Sequence, residues 1–110
     1  MKWEIEYLPE AVDDVKKLDG SVRKLVAKAI EKVSANPLPA SEGGYGKPLG
    51  HNSDLNLTGF YKIKLKKQGI RVVYSIVREN DRMTVIIIGA RSDEEVCKDA
   101  YDRLKKYGIV

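Results

Sequence analysis

The stretch FYKIKLKKQGIRVVYSI, residues 60–76, carries five basic side chains and no acidic one among residues typical of a buried sheet. Aromatic and branched residues flank KKQG (66–69), a pattern typical of an antiparallel hairpin. If the turn has two or four residues, paired positions sum to an odd number and Lys64 lies opposite Arg71. One face is then apolar and comprises Tyr61, Ile63, Leu65, Ile70, Val72 and Tyr74. The other face carries Lys62, Lys64 and Arg71.

The segment before this hairpin predicts one strand and two helices. WEIEY (3–7) alternates apolar and acidic residues, as does a strand with one buried face. Apolar residues then repeat at helical spacing on both sides of Gly20, which predicts a helical hairpin whose second helix is capped by Ser21. Residues 36–59 hold five glycines and three prolines and are predicted to form a loop of undetermined role, with room for a short extended piece near residues 55–57.

The segment after this loop completes the predicted domain. Strands are predicted at about 60–66, 70–78 and 83–89, and a capping box predicts a last helix that begins after Ser92. The prediction for residues 1–110 is a single α+β domain. An N-terminal strand and a helical hairpin pack on a mostly antiparallel four-stranded sheet, with a C-terminal helix.

The charge distribution points to an anionic partner. The chain has 110 residues with 20 Lys and Arg against 16 Asp and Glu. Residues 60–78 hold six cations and no acid, so the remainder is slightly acidic. This concentration suggests nucleic acid or an acidic protein, and the alternative is a solvated lysine-rich hairpin. The single cysteine, Cys97, excludes an internal disulfide and a multi-cysteine zinc site. Without a signal peptide or an apolar run of membrane length, we expect a cytoplasmic protein with no membrane partner.

The predicted strand pairing brings four cations together. The same parity argument, applied to the turn at 79–82, places Arg71 opposite Ala90 and Ile70 opposite Arg91. Lys62, Lys64, Arg71 and Arg91 would then converge near the N-terminus of the last helix, an arrangement suited to a phosphate. The alternative is that the lysines are ordinary solvent-facing strand residues.

Four short motifs together resemble the RelE branch of the RelE/ParE toxin superfamily. They are KPLG (47–50), YKIKL (61–65), IRVVY (70–74) and GAR (89–91). The resemblance implies a ribosome-dependent endoribonuclease that cuts messenger RNA in the ribosomal A site. It implies metal-free, cofactor-free attack of a ribose 2′-hydroxyl on the adjacent phosphate, which leaves a 2′,3′-cyclic phosphate. The implied partners are messenger RNA, ribosomal RNA and a cognate antitoxin protein.

The resemblance also implies roles for individual residues. Lys62 and Lys64 would bind RNA and help activate the 2′-hydroxyl. Arg71 would bind RNA and stabilise the charge that builds on phosphorus, and Arg91 would do the same or protonate the leaving 5′-oxygen. Cys97 stands where RelE has a tyrosine that stacks on or orients the substrate. Tyr101, one turn further along the helix, is the candidate substitute, and the alternative is that it only packs.

Two other functions are compatible with the sequence. One is a gyrase poison of the ParE kind, which shares the fold but generally lacks the set of two lysines and two arginines. The other is a non-catalytic nucleic-acid or antitoxin-binding module, in which Cys97 marks the loss of activity.

Overall fold

The computed structural model describes residues 3–52, 55–90 and 92–108. Within these ranges the chain forms five strands, which are β1 (Glu4–Tyr7), β2 (Lys47–Asn52), β3 (Leu55–Leu65), β4 (Ile70–Val77) and β5 (Arg82–Gly89). It also forms three α-helices, which are α1 (Pro9–Lys16), α2 (Gly20–Ser34) and α3 (Asp93–Lys106). The predicted α+β class is confirmed.

The sheet has one strand more than predicted. Its order is β1-β5-β4-β3-β2, with β1 parallel to β5 and the other neighbours antiparallel. The additional strand, β2, comes from the segment predicted to be loop and pairs with the first part of β3. Pro48 fits there because an edge strand need not donate every backbone hydrogen bond. The four-strand prediction was therefore wrong by one edge strand.

The predicted apolar face of the hairpin is confirmed. The pairing of Lys64 with Arg71 is the one expected from parity. Tyr61, Ile70, Val72 and Tyr74 are buried, and Ile63 and Leu65 pack at the border of the same core. Helices α1 and α2 cover this face with Ala11, Val26, Ile30 and Val33.

Helix α3 covers part of the opposite face, so the domain has three layers. The buried residues on this side are Phe60, Val73, Ile86, Ile87, Val96, Cys97, Ala100 and Leu104. Phe60 and Val73 alternate with the core residues of the first face, as the two-residue period of a strand requires. The face that carries the cations is therefore divided into an apolar part under α3 and a basic part beyond it.

The register between β4 and β5 differs from the prediction. Arg78–Asn80 form a 3-10 turn and Asp81 adopts a left-handed conformation with φ of 48°. Val77 consequently pairs with Arg82, and a β-bulge follows on β5. Arg71 therefore lies opposite Gly89 rather than Ala90. The predicted pairing of Ile70 with Arg91 involves a residue outside the described ranges.

The helix ends are held by specific hydrogen bonds. Ser92 Oγ accepts a hydrogen bond from the Glu95 backbone N–H at 3.3 Å, which confirms the predicted cap of α3. The predicted cap of α2 was wrong, because Asp19 is the N-cap and Ser21 Oγ donates to its carboxylate at 2.7 Å. Arg23 donates to three carbonyl groups at the end of α1, those of Val15, Lys16 and Leu18.

No helix within the described ranges combines the length and the apolar character needed to cross a membrane.

Candidate active site

Two lysines of the candidate site project from one face of β3. Lys62 is half-buried and Lys64 is exposed, and Ile63 between them packs toward the opposite core. This division follows from the two-residue period of the strand. The same alternation that buries the hairpin's apolar side chains therefore directs the Cβ atoms of both lysines to the other face of the sheet.

Arg71 lies directly across from Lys64 on β4. Residues that face each other across antiparallel strands have Cβ atoms about 4.5–5.5 Å apart. The Arg71 guanidinium donates to the carbonyl oxygen of Gly69 at 3.4 Å, which directs it toward the hairpin turn. Three predicted site residues, Lys62, Lys64 and Arg71, are thus brought together by adjacent strands.

The first turn of α3 lies close to these cations. Gly89 is the strand partner of Arg71, and a Cβ atom placed on Gly89 would lie 3.3 Å from Val96 Cγ2. The strand end beside Arg71 is therefore packed against the start of the helix. The N-terminal end of a helix dipole favours negative charge, so it adds to the field of the cations.

Lys47 is a fourth basic residue at this position, and the sequence prediction missed it. It pairs with Lys62 across β2 and β3 and so lies on the same face. We call Lys47, Lys62, Lys64 and Arg71 the cationic cluster. Lys47 was missed because its segment was predicted to be loop. The signal that could have found it is the following proline, Pro48, which is compatible with an edge strand.

The remaining predicted site residues have different outcomes. Arg91 lies outside the described residues. Cys97 has 3% of its surface exposed and packs in the core beneath α3. Tyr101 is partly buried and packs against the same group of residues. Position 97 therefore faces the core, and a ring at this position would have to displace neighbours to reach the surface.

The cluster has the chemistry of a phosphate site. Four cations on three neighbouring strands supply positive charge around one region, and Arg71 can donate two hydrogen bonds to one phosphate. Backbone pairing fixes the strand positions from which these side chains project.

The fold is that of toxins from type II toxin-antitoxin systems. The family model described as "ParE toxin of type II toxin-antitoxin system, parDE" matches residues 5–95. The chain belongs to this toxin family.

Relatives with RelE names match nearly the whole chain. A RelE-like toxin protein of Escherichia coli is 27% identical over 108 residues, which covers 96% of this chain and 100% of the relative. The mRNA interferase toxin RelE of Escherichia coli is 28% identical over 104 residues, covering 94% and 99%.

Solved structures give the same assignment. The free-state structure of an arginine double mutant of Escherichia coli toxin RelE has a TM-score of 0.71 at 25% identity, covering 94% of this chain and 99% of that one. The intact Escherichia coli RelBE toxin-antitoxin complex gives a TM-score of 0.62 at 26% identity, covering 82% and 98%. Within the RelE/ParE superfamily, the chain is of the RelE branch.

Proposed function

We propose that this toxin is a ribosome-dependent endoribonuclease that cuts messenger RNA. The observation that carries the proposal is the meeting of Lys62, Lys64 and Arg71 at one end of the sheet, beside the first turn of α3. The name of the Escherichia coli relative, mRNA interferase toxin RelE, supports it. Translation takes place in the cytoplasm, so we infer that the toxin acts there.

The proposed reaction transfers the phosphate from one ribose oxygen to another. The 2′-oxygen loses its proton and attacks phosphorus, the bond from phosphorus to the 5′-oxygen breaks, and that oxygen takes up a proton. The products are a 2′,3′-cyclic phosphate and a 5′-hydroxyl. Negative charge accumulates on the phosphate oxygens between these events, and preorganised cations stabilise it.

Each residue of the proposed site is assigned a part in binding or catalysis. Lys62 and Lys64 bind the RNA and favour ionisation of the 2′-hydroxyl through their positive charge. Arg71 binds the phosphate and stabilises its transition-state charge. Arg91 stabilises the same charge or protonates the 5′-oxygen. Tyr101 is assigned to orient the substrate, through its exposed part.

The decisive test is cleavage of messenger RNA on programmed ribosomes. Purified toxin should cut within the A-site codon, and Arg71→Ala should lower the rate by about 100- to 1,000-fold, the usual effect of removing one group that stabilises transition-state charge. Lys66→Ala is the matched control, because Lys66 is exposed on the same hairpin but lies in the turn. Its rate should stay within about threefold of the unchanged protein. Absence of cuts with folded toxin would contradict the proposal.

The antitoxin partner is part of the same proposal. Because the Escherichia coli toxin has been solved in a RelBE toxin-antitoxin complex, we propose a cognate antitoxin here. An acidic or amphipathic segment would cover the cationic cluster or displace α3. A small acidic protein encoded beside the toxin gene should, on coexpression, restore growth and allow both chains to be purified together.

A second candidate is favoured by the description of the family model. It names the ParE toxin, and a ParE-like chain would poison gyrase instead of cutting RNA. Induction in bacteria distinguishes the two functions. Transcript ends within translated codons support the endoribonuclease, whereas DNA-damage induction without such ends supports the gyrase poison.

A further inference from the structure

Tyr45 is an aromatic residue exposed in a glycine-rich turn, GGYG (43–46). Its surface is 52% exposed, so the ring is accessible from solvent. The Lys32 ammonium lies 5.6 Å from the centroid of its ring, within the range of a cation–π contact. The turn therefore presents an accessible aromatic ring beside a positive charge.

The backbone on both sides of Tyr45 is closely packed. A Cβ atom on Gly44 would lie 2.0 Å from the carbonyl oxygen of Leu38, and one on Gly46 would lie 2.8 Å from the Tyr74 hydroxyl. The backbone N–H groups of Tyr45 and Gly46 donate to the carbonyls of Asn36 and Leu38, both at 2.9 Å. Only glycine fits on either side, so the turn holds the tyrosine backbone in one place.

The anchor of this turn is the buried hydroxyl of Tyr74. It donates to the carbonyl oxygen of Pro37 at 2.9 Å. Burial, and secondarily the neighbouring Tyr61, raises the pKa of Tyr74, so the hydroxyl remains a donor throughout the physiological range. The turn is thereby tied to the same β4 strand that carries Arg71.

A groove connects Tyr45 to the cationic cluster. It has a volume of about 240 Å³ and is lined by Ala29, Lys32, Val33, Tyr45, Lys47, Lys62, Ile63 and Lys64. Four of these residues are lysines and none is acidic. The groove follows the edge of β3, because in the described register β2 pairing ends where Lys47 meets Lys62. Lys62 and Lys64 thus belong both to the groove and to the proposed catalytic site.

We propose that this groove binds an unpaired nucleotide of the RNA next to the bond that is cut. The base would stack on Tyr45, and the adjoining phosphates would contact Lys32 and Lys47. An aromatic platform beside lysines is the arrangement by which proteins bind single strands without sequence preference. The assignment of the ligand as RNA rests on the proposed function.

RNA accounts for the groove better than an acidic protein segment does. The apolar lining residues, Ala29, Val33 and Ile63, are buried or half-buried, and the exposed lining residues are Tyr45 and lysines. Binding energy at protein interfaces comes mostly from side chains that enter well-packed, desolvated pockets. The exposed elements are instead a flat ring and ammonium groups, which match a base and its phosphates.

The test is equilibrium binding of a short single-stranded RNA that contains 2-aminopurine and a 2′-O-methyl group at every ribose, so that it cannot be cut. Tyr45→Ala should raise Kd by roughly 5- to 150-fold, the effect of losing one stacked base. Tyr45→Phe, which keeps the ring, should stay within about twofold of the unchanged protein. Lys47→Gln should lower the slope of log Kd against log salt by about 0.7, the value for one phosphate contact on a single strand.

Tyr107→Ala is the matched control. Tyr107 is 43% exposed and also has a lysine ammonium, that of Lys106, 5.9 Å from its ring centroid, but it lies at the far end of α3. Its removal should leave Kd unchanged, with folding checked by the thermal transition.

The possible failures are distinguishable. Equal RNA affinity of the unchanged protein and Tyr45→Ala overturns the groove assignment, while cleavage on ribosomes would still support the catalytic proposal. No RNA binding at low salt also overturns it. If Tyr45→Ala weakens binding of polyglutamate but leaves RNA binding unchanged, the groove is a protein site. RNA binding that depends on Tyr45 without any cleavage supports the groove and removes the proposed reaction.

Discussion

The ion pair between Arg103 and Asp14 should contribute more to stability than the exposed pair of Arg78 and Glu42. The Arg103 guanidinium donates to both carboxylate oxygens of Asp14, at 2.7 and 3.1 Å, and to the carbonyl oxygen of Ile86 at 3.0 Å. Asp14 also accepts the backbone N–H of Ile88 at 3.1 Å. The two side chains are 21% and 11% exposed. One pair therefore joins α3, α1 and the bulged part of β5.

The magnitude follows from this burial. Removing one partner of a buried ion pair costs about 3–5 kcal/mol, because the other charge stays desolvated. The partial exposure of this pair favours the lower end, so Arg103→Met should lower the free energy of unfolding by about 3 kcal/mol. For a domain of this size the midpoint temperature should fall by roughly 10–20 °C. Asp14→Asn should cost less, since its amide oxygen still accepts from Ile88.

The assay is a double-mutant cycle by urea unfolding. Arg103→Met and Asp14→Asn, singly and together, should show a coupling free energy of about 2 kcal/mol that persists at high salt. The matched control is the bidentate pair of Arg78 and Glu42, at 2.8 Å but with side chains 53% and 43% exposed. Its coupling should be below about 1 kcal/mol and fall with salt. Equal coupling in the two cycles would refute the argument from burial.

Three further predictions concern the core and its borders. Gly46→Ala should lower the free energy of unfolding by about 1–3 kcal/mol, because the new methyl group meets backbone and the Tyr74 hydroxyl. Gly20→Ala is the control: it has open space around it and should stabilise the protein or leave its stability unchanged in the same thermal melt. Hydrogen bonds from Tyr107 and Lys106 lower the pKa of Glu10 to about 2 from its ordinary value of 4.5. A carboxylate with a lowered folded-state pKa stabilises the protein above pH 4.5 and loses this contribution as pH falls toward 2. In acid titrations, the difference in stability between the unchanged protein and Glu10→Gln should therefore disappear over that interval. A difference that stays constant would contradict the assignment. Cys97 should react with a thiol reagent only at the rate of unfolding, since it is buried. Rapid labelling of the folded protein would show instead that the thiol is accessible. Cys97→Tyr should lower the free energy of unfolding by about 1–3 kcal/mol instead of restoring a substrate contact, because the ring overfills the core.

The hairpin could be predicted because its information is local. The alternation of apolar and basic residues from Tyr61 to Tyr74 and a short turn suffice to pair Lys64 with Arg71, since a strand has a fixed two-residue period. The cap at Ser92 is local as well and was also predicted. Lys62, Lys64 and Arg71, three of the four cations that the sequence predicted to converge, are placed by the hairpin alone. Most of the candidate site could therefore be predicted from the sequence.

The sequence by itself therefore determined the α+β class, the two faces of the central hairpin and the residues that share them. Only the tertiary structure decided that β2 joins the sheet edge and adds Lys47, that a bulge places Gly89 beside Arg71, and that α3 buries Cys97. These features depend on pairing between segments distant in the chain, where backbone geometry and packing choose among registers that the local pattern leaves open. The groove at Tyr45 belongs to the same class, because its walls come from α2, the turn and β3.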